Sequence, residues 1–183
     1  LRYGMGPTPS QWIMERESLQ FFIRDLTEDI RKNLWYRPWF NTIGSLIDAG
    51  FITHHFPRIK ILYGDLHKET MQCKLLILKE SGTTLCIAMA ANIPVICLWN
   101  PKTMGLCHQA LPYFDKLKRV GIIHDTAQSA AQKVNEISDN IDNWWQQPSV
   151  QKARKQFAWT YARTSKQWKK EWIKAIWNLK EET

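Results

Sequence analysis

Several things are missing from this 183-residue sequence. No apolar run comes near the ~18 residues of a membrane-crossing helix. None of the four cysteines stands in a C-x-x-C pair, and His108 beside Cys107 has no further ligands at metal spacing. No zinc site is therefore expected, and Cys73, Cys86, Cys97 and Cys107 read as free thiols of a reducing, cytoplasmic compartment. There is no Walker loop ending in Gly-Lys-Ser/Thr, no G-x-G-x-x-G fingerprint and no D-x-D pair. Internal repeats and low-complexity tracts are absent too, which sets aside solenoids and disordered linkers.

What is present fits one globular domain with a real core: 44% of residues are hydrophobic and 23% charged. The chain opens at Leu1 on a segment that reads as mid-protein, so a fragment or excised domain is expected. The net charge is +8, and it gathers late, with nine Lys and Arg between Gln151 and Lys180 against the single acid Glu171. Such a balance suits phosphorylated substrates, anionic lipid or nucleic acid. Nucleic acid has no recognised motif here and is the weakest of the three.

The chain is organised around Cys73–Pro101. Leu75-Leu76-Ile77-Leu78 is a buried-strand run, Ser81-Gly82-Thr83-Thr84 a turn with capping hydroxyls, and Leu85 to Ala91 a helix stopped by Asn92. Pro94 to Leu98 is a second strand. Strand, turn, helix, strand is a βαβ unit, which crosses over right-handed into a parallel sheet. Ligands of such sheets bind beyond the carboxyl ends of the strands, where helix N-termini attract anions. A Gly-Thr-Thr turn is equally a well-capped helix start with no ligand at all.

Residues 1–9, containing Gly4, Gly6, Pro7 and Pro9, read as a linker, and Ser10 as the cap of a helix through Ile30. Asn33–Tyr36 is a short strand ended by Arg37-Pro38, which sets Arg37 at a strand end, a surface cation or a phosphate clamp. A helix is expected through Ile43–Ala49, a strand over Arg58–Leu62 and a short helix over Leu66–Met71. Thr103–Arg119 reads as loop then helix, interrupted by Pro112. Val120–Ile123 is a further strand, after which His124 reaches the sheet edge and Asp125 or Thr126 caps a helix through Ile137. A lone His there is more often structural than catalytic.

Three tail helices follow, over Asp142–Gln147, Ser149–Tyr161 and Ser165–Leu179. Phe157, Tyr161, Trp168, Trp172, Ile176 and Leu179 share a helical face surrounded by bases. A packing face is the plainer reading, and acidic lipid headgroups are a second. The whole is an α/β domain, Rossmann-like and doubly wound, with about five parallel strands and a helical C-terminal tail.

Three stretches carry a resemblance: GTT…AANIP, the run from PYF to KVNEI, and WW…VQ.AR..F…YARTS. Together they resemble the C-terminal part of a transferase family of bacterial O-antigen and surface-polysaccharide gene clusters, over roughly Leu34 to Trp172. That family looks like GT-B glycosyltransferases, in which two Rossmann-like domains face each other across a cleft. The resemblance implies a donor-binding domain over residues 10–148. It also implies that 149–183 are basic, aromatic helices packing back on it or on a missing N-terminal domain. Ser81, Gly82, Thr83, Thr84 and Asn100 would hold the nucleotide-sugar donor, and Arg37 and His124 would be the catalytic pair. No cofactor or metal is implied. A glycan or lipid-linked acceptor would complete the reaction, and the chain alone would be inactive. Apart from the resemblance, the basic, aromatic tail suits a peripheral contact at the inner face of the membrane. The alternative is a non-catalytic nucleotide- or partner-binding domain. Ile87 stands where the family tends to carry Glu, a residue that contacts the ribose in many GT-B enzymes, and Lys79-Glu80-Ser81 replaces an acidic-aromatic pair.

Overall fold

A computed structural model describes residues 9–38, 48–100 and 105–181. In order come α1 (Pro9–Asp25), α2 (Glu28–Lys32), β1 (Trp35–Tyr36), α3 (Asp48–His55), β2 (Lys60–Ile61), α4 (Leu66–Gln72) and β3 (Leu76–Leu78). Then follow α5 (Thr83–Ala91), β4 (Val95–Leu98), α6 (Leu111–Arg119), β5 (Ile123–His124), α7 (Ala127–Ile137), α8 (Ile141–Trp145), α9 (Pro148–Tyr161) and α10 (Trp168–Glu181).

Local chemistry explains most of these boundaries. Asp65, Thr126 and Asn140 each cap a helix, their side chains accepting from the backbone N–H of Lys68, Ser129 and Asn143. Asn92 ends α5 in the left-handed region at φ 58°, which its short polar side chain tolerates. Pro112 lies in the first turn of α6 and therefore opens that helix; it does not interrupt it. The helix expected through Ile43–Ala49 is seen as Asp48–His55, and positions 43–47 lie outside the described residues, as do 1–8 of the expected linker.

All strands pair in parallel, but they form two sheets. The larger has the order β3-β4-β5, with Ile77 opposite Ile96 and Leu98 opposite His124. β4 is its centre, and all four of its residues are buried, as a strand covered on both faces requires. β1 and β2 form a separate pair, Trp35 opposite Lys60. One sheet of about five strands is thus not what the described residues build. β1 and β2 expose Trp35 and Lys60, and past Arg37 the chain meets Pro38, which has no N–H to extend the β1 ladder.

Helices complete the domain. α5 packs on β3 and β4, α6 on β5, and α9 lies against both α5 and α6. α7 packs on β4 and β5 and carries α1. Asn135 of α7 fixes that last contact: its amide donates to the Asp25 carbonyl at 2.9 Å and its oxygen accepts from the Thr27 N–H at 3.0 Å. Leu85, Met89, Val95, Ile96, Leu117, Ile122 and Trp145 are among the side chains sealed in the core. Burying the Trp145 ring alone removes about 150–250 Å² from water, on the order of 4–6 kcal/mol of transfer free energy.

Candidate functional site

Because β3, β4 and β5 are parallel, their carboxyl ends open at one edge. Lys79-Glu80-Ser81-Gly82 leave β3 there, Trp99-Asn100 leave β4, and Asp125-Thr126 leave β5. Trp99 extends the ladder by one bond, donating to the His124 carbonyl at 2.8 Å. Its buried ring tilts onto Phe114, 5.4 Å between centroids, with the Lys118 ammonium 4.9 Å from its centre. Lys118 also pairs with Asp125 at 2.7 Å. These contacts fix Asn100 at the lip of a cleft.

The cleft has a volume of about 60 Å³. Lys79, Leu98, Trp99, Asn100, Asp125 and Thr126 line it from the sheet, and Met14, Glu15, Ser18 and Leu19 line it from α1. Whole-ligand pockets run to ~300 Å³ or more. This one has room for no more than a phosphate-sized group.

Gly82 sits three residues beyond Lys79 as the N-cap of α5, at φ −87° and ψ −158°. No side chain caps the helix. Thr83 and Thr84 are the first helical residues, not the caps expected from the sequence. The first N–H groups of α5, at the positive end of its dipole, therefore receive no side-chain cap from the N-cap residue. A Cβ on Gly82 would meet only the Glu80 carboxylate, Oε1 at 3.5 Å and Cδ at 3.8 Å, ordinary contacts. The fold itself thus leaves room here for more than glycine. Ser81, Gly82 and Thr84 are half-buried and Thr83 is exposed.

His124, by contrast, is spoken for. Its Nε2–H donates to the Gly121 carbonyl at 3.0 Å, so Nδ1 is the unprotonated nitrogen, 3.1 Å from the Ser129 hydroxyl. Burial lowers its pKa below the ordinary value, outweighing the Gly121 hydrogen bond that raises it. The structure places His124 at the sheet edge as expected, yet both ring nitrogens are engaged, one by the α6–β5 turn at Gly121 and the other by Ser129 in the first turn of α7. Gly121 is itself constrained, at φ 75° with Lys133 Cε 3.1 Å from where a Cβ would sit.

Arg37 follows β1, outside the three-stranded sheet. Its Nη2 donates to the Gly64 carbonyl at 3.1 Å, which ties the ends of β1 and β2 together. Its Nε is buried without a hydrogen-bond partner. Ile87, on α5, is half-buried.

Other motif residues have structural work. Asn92, Trp145, Gln151 and Arg154 form one network at the far end of α5 from Gly82. Trp145 and Gln151 both donate to the Asn92 side-chain oxygen, and Arg154 Nη1 donates to the Met89 carbonyl at 2.7 Å. The residues that sequence reasoning missed are those of α1. Nothing in the local pattern of Met14, Glu15 and Ser18 says that Asn135 will dock that helix across the strand ends. Among the described residues no three His, Cys, Asp or Glu side chains stand together as a metal site, and no helix is long and apolar enough to cross a membrane. The four cysteines are free, and burial pushes the Cys97 thiol far up.

The family model described as LIC12162 family transferase matches residues 2–176 of this chain. No curated protein and no solved structure matches it.

Proposed function

We propose that this chain, which belongs to the LIC12162 family of transferases, binds the nucleotide-activated sugar donor of a glycosyl transfer at the carboxyl edge of β3-β4-β5. The observation that carries the reading is the α5 N-terminus, uncapped by any side chain and opened by a glycine the fold does not need for space. An anionic diphosphate suits that spot, because N–H donors and the helix dipole meet it with no proton to remove. Thr83 and Thr84 add hydroxyls, and Asn100 stands at the neighbouring strand end. Glu80 opposes an anion by its charge but suits a ribose hydroxyl, a role that Ile87 cannot fill.

Group transfer from such a donor expels a nucleotide phosphate, and stabilising that leaving charge is the main electrostatic task. The α5 dipole and Arg37 are the groups proposed for it. The acceptor would be a glycan or a lipid-linked precursor, and the compartment the cytoplasm.

A second reading is a binding domain without catalysis, for nucleotide or for a partner. It is favoured by His124, whose ring nitrogens are both engaged, and by Ile87. Calorimetry of the chain with UDP, GDP, ADP, TDP and CMP separates the cases. Saturable binding of one of them, weakened by Arg37→Ala or Gly82→Val, supports the donor site. Binding of none overturns it and leaves the partner-binding domain.

A further inference from the structure

The last helix presents a surface that the donor site does not use. Trp168 and Trp172 are 55% and 64% exposed, and Ile173, Ile176 and Trp177 are each more than half exposed. Trp168, Trp172 and Ile176 recur every four residues, as do Ile173 and Trp177 in the adjacent row, so the two rows make one continuous apolar band. Among the described elements α10 packs extensively on none. A band of this size left to water calls for an occupant.

The charges beside the band say which one. Lys166, Lys169, Lys170 and Lys174 are all exposed around it. The acid within the helix's first turn, Glu171, is taken up by Arg163 at 3.1 Å and by the Ser165 hydroxyl at 2.7 Å. Among the described residues, the charges that remain around the band are therefore cationic. Lys169 holds its ammonium 5.6 Å from the Trp168 ring centre, an apolar stem along the band and a charge at its margin. Protein–protein interfaces are depleted in lysine, whereas Trp with flanking Lys is the composition of a lipid headgroup boundary. We propose that α10 lies in the plane of an anionic phospholipid surface, its Trp168–Trp172–Ile176 row immersed and its lysines on the headgroups. The proposal stands apart from the donor reading, since it needs no nucleotide.

Co-sedimentation of the chain with phosphatidylcholine vesicles, alone or mixed with phosphatidylglycerol, tests it. The chain should pellet with the mixed vesicles, weakly with phosphatidylcholine, and less in high salt. Lys170→Glu/Lys174→Glu should lower the partition coefficient at least about tenfold, from about 1 kcal/mol per lysine near an anionic surface. Trp172→Glu should do the same. Because α10 packs extensively on no other described element, both variants should keep the parent's urea midpoint. Folded parent protein left in the supernatant, or variants that pellet as the parent does, would overturn the proposal. So would a parent that stays with its own copies in solution, ignores the vesicles and becomes monomeric on Trp172→Glu.

Discussion

The Trp145 indole N–H points at Asn92 from 53 residues away, 3.1 Å from its carbonyl and 3.0 Å from its side-chain oxygen. Asn92 is the one described non-glycine residue with positive φ, so the bond holds a backbone conformation that few side chains accept. It also carries α8 and α9 onto the end of α5. Trp145→Phe should cost about 1–3 kcal/mol, the loss of one buried donor with its acceptors left behind. Combined with Asn92→Gly, the two losses should fall short of additive, because both remove the same bond. Urea unfolding of the four proteins in the cycle gives the answer; strict additivity would mean that the two residues act separately.

At the other end of α5 the expectation reverses. Gly82→Ala should leave stability within about 0.5 kcal/mol of the parent, since φ is ordinary and the added methyl has room. Nucleotide affinity should nonetheless fall about tenfold, the scale of one hydrogen bond lengthened by a methyl. Calorimetry beside thermal unfolding reads both quantities. Parallel loss of the two would show a purely structural glycine.

Ile87 supplies a gain-of-function test. It is half-buried on α5, so a carboxylate there can reach water. If the ribose lies along this helix, Ile87→Glu should tighten nucleotide binding by about 1–3 kcal/mol, one charge-assisted hydrogen bond. An unchanged dissociation constant in a folded variant would place the ribose elsewhere.

His124 makes stability depend on pH. Burial lowers its folded pKa beneath the ordinary 6.5, so the unfolded chain takes up a proton first. The contribution is fully present above pH 6.5 and is lost as pH falls through the folded value. His124→Gln should be less stable than the parent at neutral pH, and the gap should narrow in acid. Chemical unfolding of both proteins across that window measures it; a gap that widens in acid would mean that the folded state favours the imidazolium.

The sequence by itself determined what is settled within a few residues. Leu76–Leu78, the Gly82 turn, Leu85–Ala91 and Val95–Leu98 stand where periodicity and turn chemistry put them. Thr126 caps α7, Asn92 stops α5 left-handed, and the 168/172/176 row is apolar whatever it touches. Such features depend on neighbours one or two turns away, and the chain carries those neighbours with it. Tertiary structure alone decided the rest. It split the strands into two sheets, with β1 and β2 paired to each other and their Trp35 and Lys60 side chains left exposed. It laid α1 over the strand ends through Asn135, 110 residues from Asp25, and turned both nitrogens of His124 inward. Those outcomes rest on hydrogen bonds and packing between distant segments, whose partners no local pattern of residues names.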